Sequence, residues 1–421
     1  MKPERTTRTF RPSTAQAPAR SARPPQHGAI ATGLAMLVCL ALLLLLFSAA
    51  DLLGRDVEVS GERLRALQAA EAAEAGLVWG LAMLNDTRPI DTSCEPVERG
   101  RSFQAHYLQA SPPAGSGPLC RLGDDRWTCH CPQAGTVEPP WMEDGAAQVF
   151  VLQVEASASG IASVASTGCS GDLRACRRAA GNPARADGSV ARVWADAERL
   201  PALDTQPIAA VTAHGSITLD GPVTLRHADA AGGITLHAGG VVRLGEARLE
   251  GPPGAPAAST VVAGDPVLAG LDSARFFASA FRMDAPSWQR QPAARRLRCD
   301  SACDESLARL LGGPGMHPML WLDGGLNLHA PAQFGSPEQP VLLIVDGPVR
   351  LAAGLRLHGL VYLRSPDWQD TGGAELHGAL LAEGDLVMTG NTTLTHDAAV
   401  LQELARCCGS YARRPGSWRD F

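Results

Sequence analysis

Gly215-Ser216-Ile217-Thr218-Leu219-Asp220-Gly221-Pro222-Val223-Thr224-Leu225 sets the texture of the second half of this 421-residue chain. Alternation along a strand places Ile217, Leu219, Val223 and Leu225 on one face, and Gly221-Pro222 breaks the run between them. Gly233-Ile234-Thr235-Leu236-His237 and Gly240-Val241-Val242-Arg243-Leu244-Gly245 continue the pattern, adding Ile234 and Leu236 to that face. The same texture returns from Leu320 to Leu328, from Val341 to Gly347 and from Val349 to Leu363, and it persists to Leu394. Gly-bounded strands recurring at roughly ten-residue intervals predict a stacked coil, such as a β-helix whose rungs share one core. A β-sandwich shows similar spacing and stays open as the alternative.

Outward from this stretch, the texture changes between Asp272 and Leu311. Phe276, Phe277, Ala280 and Phe281 fall at helical spacings, and Asp304 to Leu311 reads as a second short helix behind an acidic first turn. The expected layout is therefore a β-repeat domain over 201–404 with a helical insertion at 271–312, followed by a tail at 405–421. An aromatic cluster at helical spacing reads as core packing, with an exposed partner-contact flap as the alternative.

Residues 85–200 carry short strand-like runs, Phe103 to Leu108, Trp127 to Pro132 and Val149 to Val154, punctuated by cysteine. Of 11 cysteines only Cys39 lies in the apolar N-terminal segment, leaving an even set at Cys94, Cys120, Cys129, Cys131, Cys169, Cys176, Cys299, Cys303, Cys407 and Cys408. These read as disulfides, with Cys169–Cys176 and Cys299–Cys303 as local pairings and the remaining connectivity open. A zinc site from Cys94, Cys120 and Cys129-His130-Cys131 is the weaker reading, because the Cys-x-x-Cys spacing is missing. No metal and no cofactor is expected.

At the N-terminus a Pro-rich leader, residues 1–28, holds Lys2, Arg5, Arg8, Arg11, Arg20 and Arg23 against Glu4. Ala29 to Ala50 follows without a charged residue, matching the roughly 20 residues of a bilayer-spanning helix. Helical composition continues from Asp51 to Leu84 and stops before Asn85-Asp86-Thr87-Arg88-Pro89. The reading is one helix over 29–84, transmembrane at 29–50, with the leader cytoplasmic by the charge rule and the bulk of the chain periplasmic. On its outer half, Leu64, Leu67, Leu77, Leu81 and Leu84 form the face expected to pack on the rest of the chain. Three fates of the N-terminus compete: a cut after Gly28 that keeps the apolar run, a secretory cut after Ser48-Ala49-Ala50, and an uncleaved anchor.

Gln26-His27-Gly28-Ala29 resembles the processing site of PilX-type minor pilins. Gln68-Ala69-Ala70-Glu71-Ala72-Ala73-Glu74, running on to Trp79 and Asn85, is similar to the Ala/Glu-rich end of their helix. Gly359-Leu360-Val361-Tyr362-Leu363, Gly378-Ala379-Leu380-Leu381 and the run from Gly390 to Leu401 look like the closing strands of large pilus-assembly proteins of this type. The resemblance implies cleavage by prepilin peptidase after Gly28, N-methylation of Ala29, and a pilin-like αβ head at 85–200. It implies a role in type IV pilus assembly at the tip or initiation complex, with other minor pilins, the major pilin and a pilus-tip adhesin as partners. It also implies residence in the inner membrane before entry into a cell-surface pilus. One departure is Gly33, where pilins generally carry Glu at the fifth mature position. A membrane-anchored surface adhesin or β scaffold, a secreted carbohydrate-active β-helix enzyme and a type II secretion pseudopilin are the alternatives.

The fold class expected is thus α+β: a long N-terminal transmembrane and amphipathic helix, the αβ head, and a Gly-rich all-β C-terminal domain. A net charge of −6 offers no basic face for nucleic acid. No Gly-rich phosphate loop, Gly-x-Ser-x-Gly elbow or His-Glu-x-x-His pair is present, so the chain is not read as an enzyme and no catalytic residue is assigned. His214, His227, His237, His329, His358, His377 and His396 read as surface or turn histidines, and Asp323 and Asp346 as strand-end turn residues.

Overall fold

The computed structural model describes residues 28–108, 117–133, 147–157, 160–171, 173–181, 190–227, 233–251, 254, 256–311 and 318–420. The leader, including Gln26-His27, lies outside them. The chain parts into two compact units, Met1–Gly61 and Glu62–Phe421. The helix Gly28–Leu84 runs without a break through both Gly54 and Gly61.

The larger unit is built mainly of strands. Overall, strands take 40% of the residues and helices 29%, so the chain is a mostly β protein rather than the helix-led α+β fold expected. Among the described residues no helix is long and apolar enough to cross a membrane. The transmembrane assignment at 29–50, and with it the single-pass inner-membrane location, is therefore corrected.

Two sheet systems make up this unit. The first is a seven-stranded antiparallel sheet in the order Arg126–His130, Leu119–Gly123, Ala147–Ala156, Ile161–Gly171, Val190–Pro201, Gly409–Arg413, with Arg419–Asp420 also on Val190–Pro201. The chain thus returns some 200 residues after Pro201 to complete it, with Gly409 opposite Pro201 and Arg413 opposite Ala197. The second system is entirely parallel. Its rungs comprise three short strands each, exemplified by Val341–Asp346, Val349–Leu351 and 355–357. Leu355–Leu363 and Glu375–Ala382 bend at Gly359 and Gly378, where φ is +145° and +140°, so that each strand serves two faces of the stack. A Cβ at Gly359 would lie 1.8 Å from the Val341 carbonyl oxygen, and one at Gly378 1.8 Å from that of Gly359. Only glycine permits these corners to stack.

The rungs do not stack in chain order. In-register pairing runs from Arg295–Arg298 through Met319–Asp323, Val341–Asp346, 359–363 and 378–382 to Ala209–Ala213, then Ile234–Ala238 and Val261–Val262. The rung that comes first in the chain lies in the middle of the stack, against the last one. The segment between Val262 and Arg295 carries the chain from one end of the stack to the other. It does so through the helices Pro266–Ala269, Ser273–Phe281 and Ala285–Gln289, each started by an aspartate cap, Asp265, Asp272 or Asp284.

Inside the rungs, Ile217, Leu219, Val223, Leu225, Leu236, Leu343, Val345, Val361 and Leu380 form one apolar core. Outside the face formed by 319–323, 341–346 and 359–363, a second core joins Phe276, Phe277, Ala280, Phe281 and Trp288 to Trp321, Ile344 and Tyr362. The aromatic cluster read from the sequence is therefore buried packing, with the Phe277 and Tyr362 rings edge to face at 5.1 Å. At the 295 end, the helix Asp304–Leu311 buries Leu307 and Leu311 in the inner core. Asp304 accepts the backbone N–H groups of His329 and Ala330 and fixes that helix to the first rung beneath it.

Five disulfides are present: Cys94–Cys131, Cys120–Cys129, Cys169–Cys176, Cys299–Cys303 and Cys407–Cys408. They consume the thiols that a zinc ion at Cys94, Cys120, Cys129 and Cys131 would need. His329 is exposed as expected, but other histidines depart from the surface reading. His227 and His396 are buried and stack at 4.3 Å, and His358 and His377 stack at 4.8 Å on neighbouring strands. Asp323 and Asp346 pair with Arg296 and Arg364 across the rungs.

Candidate assembly surface

The N-terminal helix has two halves with opposite surroundings. From Glu62 to Leu84 one side packs on the antiparallel sheet, burying Ala69, Ala72, Ala73, Leu77 and Leu84. Small residues on both partners allow a close approach. A Cβ on Gly168 would strike the backbone of Ala69 and Ala73, and one on Gly76 or Gly80 would strike Phe150 or Leu152. The expected leucine face is thus only partly the buried one, since Leu64 and Leu67 are exposed and the alanines carry the contact. Asn85 closes the helix. Its Nδ2 donates to the Leu81 and Tyr411 carbonyls and its Oδ1 accepts the Tyr411 N–H, which ties the helix end to the returning strand.

From 32 to 48 the situation reverses, for every residue is exposed. Leu34, Leu37, Leu42, Leu45 and Phe47 are all more than half exposed, Phe47 at 79%. These positions go all the way round a helix of 3.6 residues per turn, so no single face is polar. The only side-chain polar groups are satisfied locally or small, with Ser48 donating to the Leu44 carbonyl. The surface is uncharged and lacks a partner within its own unit among the described residues. At about 25 cal/mol per Å² of apolar surface, covering it is strongly favourable. A helix apolar on every side is ordinarily a buried one.

The sequence-assigned processing residues lie at the start of this surface. Gly28 and Ala29 open the helix, and their side-chain surroundings lie outside the described residues. Gly33 sits in open space, with no atom within 4 Å of where a Cβ would be. Cys39 is the free cysteine among the described residues and is exposed in the middle of the apolar run. Along the half that packs on the sheet, Leu64, Leu67 and Val78 extend an apolar stripe on the side turned away from it. Trp418 donates its Nε1–H to Glu74 on that half, anchoring the C-terminal strand to the helix. The Asn85 clasp and the alanine face escape sequence reading, since each depends on a partner distant in the chain. Among the described residues no group of three or more His, Cys, Asp or Glu could hold a metal ion.

Comparison with protein-family models, curated proteins and solved structures finds no match to this chain.

Proposed function

We propose that this protein is a minor subunit of a type IV pilus-like fibre that takes part in assembly at the tip or initiation complex. The observation that carries the reading is the N-terminal helix, which is uncharged and exposed around its whole circumference from 32 to 48. A bundle of equivalent helices from neighbouring subunits covers such a cylinder on all sides, which a single flat partner does not. The size of the unit from Glu62 onward hinders regular lateral packing along a shaft and favours a terminal position. Other minor pilins, the major pilin and a tip adhesin are the partners this reading requires, and prepilin peptidase the processing enzyme.

The test uses the full chain expressed in its native host. Oxidative crosslinking through Cys39 in sheared fibres is expected to give adducts with pilin subunits, and mass analysis of the mature protein to give N-methylated Ala29. A chain absent from the fibre fraction, with its leader intact and fibre number unchanged on deletion, overturns the proposal.

A further inference from the structure

One outward-facing column of the parallel stack runs Trp321, Ile344, Tyr362, Leu381, Thr212, His237. The helix Ser273–Phe281 lies over this face, and it packs tightly where the column is bulky, against Trp321 and Tyr362. Where the column narrows to Leu381 and Thr212 the helix does not follow it down, and a cavity of about 240 Å³ opens. Its apolar walls include Phe276, Ala280 and Leu268, and Pro207 and Ile208 stand at its rim.

The polar side chains lining this cavity are Thr205, Gln206, Thr212, His237 and Ser279. Thr212 is only 7% exposed, lines the cavity, and its hydroxyl has no hydrogen-bond partner among the described residues. A hydroxyl reachable from the cavity and without a protein partner is open to a ligand hydroxyl. His237 also lines the cavity, its ring held by Asp265 at 2.6 Å, so its orientation is preset. Ser279 is already committed to the Phe276 carbonyl. Both nearby carboxylates are already engaged within the protein, Asp265 by the His237 ring and Asp204 by Arg282.

A small, neutral ligand with hydroxyl groups and an apolar face suits these walls, and the volume is that of a single sugar ring rather than a chain. We propose that this cavity binds one neutral monosaccharide unit, with Thr212 as a hydrogen-bonding group and Phe276 as the apolar wall. The proposal does not depend on the fibre reading, because it concerns the isolated full chain.

The test is saturation-transfer NMR on the purified full-length protein with glucose, galactose, mannose, N-acetylglucosamine and N-acetylgalactosamine, each at millimolar concentration. Transfer to at least one sugar is expected. Thr212→Val, which keeps the shape and removes the hydroxyl, should weaken that sugar about tenfold. Ala280→Phe, which fills the space, should abolish the signal in a protein whose melting curve remains cooperative. Absence of transfer for all five sugars overturns the proposal, as does transfer that Thr212→Val leaves unchanged.

Discussion

Glycine at the corners is the tightest constraint in the stack. A Cβ on Gly378 would sit 1.8 Å from the Gly359 carbonyl at a φ of +140°, so both strain and collision act on any larger residue. Gly378→Ala should cost about 3 kcal/mol or more and lower the melting temperature, whereas alanine at the open Gly384 should show only its φ penalty. Burial, and then the neighbouring His377 and Arg356, hold the His358 imidazole below its ordinary value, against the opposing pull of Asp397 and Glu338. The unfolded chain therefore takes up a proton that the folded chain resists, and stability falls as pH drops through about 6.5. Denaturation at pH 7.5 and pH 5.5 should show this loss, and His358→Gln should shrink it. At this scale the sequence was partly legible. Alternation correctly marks Ile217, Leu219, Val223, Leu225 and Leu236 as buried, while Ile234 is only half-buried. The histidines were not legible, because the stacked pairs form between strands that alternation cannot register against one another.

Among the elements, the helix Ser273–Phe281 buries four of its nine side chains against the outer face of the stack. Phe277→Ala should cost about 3–5 kcal/mol, measured by chemical denaturation. Its amphipathic spacing was readable from Phe276, Phe277, Ala280 and Phe281 alone. The N-terminal helix was misread in two respects, its buried face and its membrane span. Side-chain bulk pointed to Leu64 and Leu67, yet the sheet beneath offers Gly168, and so alanines dock there instead. Disulfide formation was legible from cysteine parity, and the two short pairings from proximity. The Cys94–Cys131 link joins the loop after this helix to the strand end at His130 across 37 residues. Replacing both cysteines with alanine should remove about 4 kcal/mol on a loop-entropy basis, checked by melting under oxidising conditions.

For the molecule as a whole, the apolar run from 32 to 48 sets the behaviour in solution. Leu37→Asp combined with Leu44→Asp should reduce self-association in sedimentation, because each substitution places a charge on an exposed, wholly apolar surface. The texture of the rungs was readable from Gly215 to Leu394, but their spatial order was not. Ala209–Ala213 and Ile234–Ala238 resemble Met319–Asp323 and Val341–Asp346 in composition, and nothing local states which neighbour each will take.

That order constrains how the protein is made. The strand Ala209–Ala213 leaves the ribosome long before 380–382, the partner that covers its second edge. Until the closing rung emerges, the early rungs carry an open parallel edge and half a core. Gly409–Arg413, which completes the antiparallel sheet, comes later still. Neither sheet can close until the chain has grown some 170 to 200 residues past the strands that await a partner. A protein whose sheets are closed by strands so distant in the chain is suited to being passed through a narrow channel before it folds.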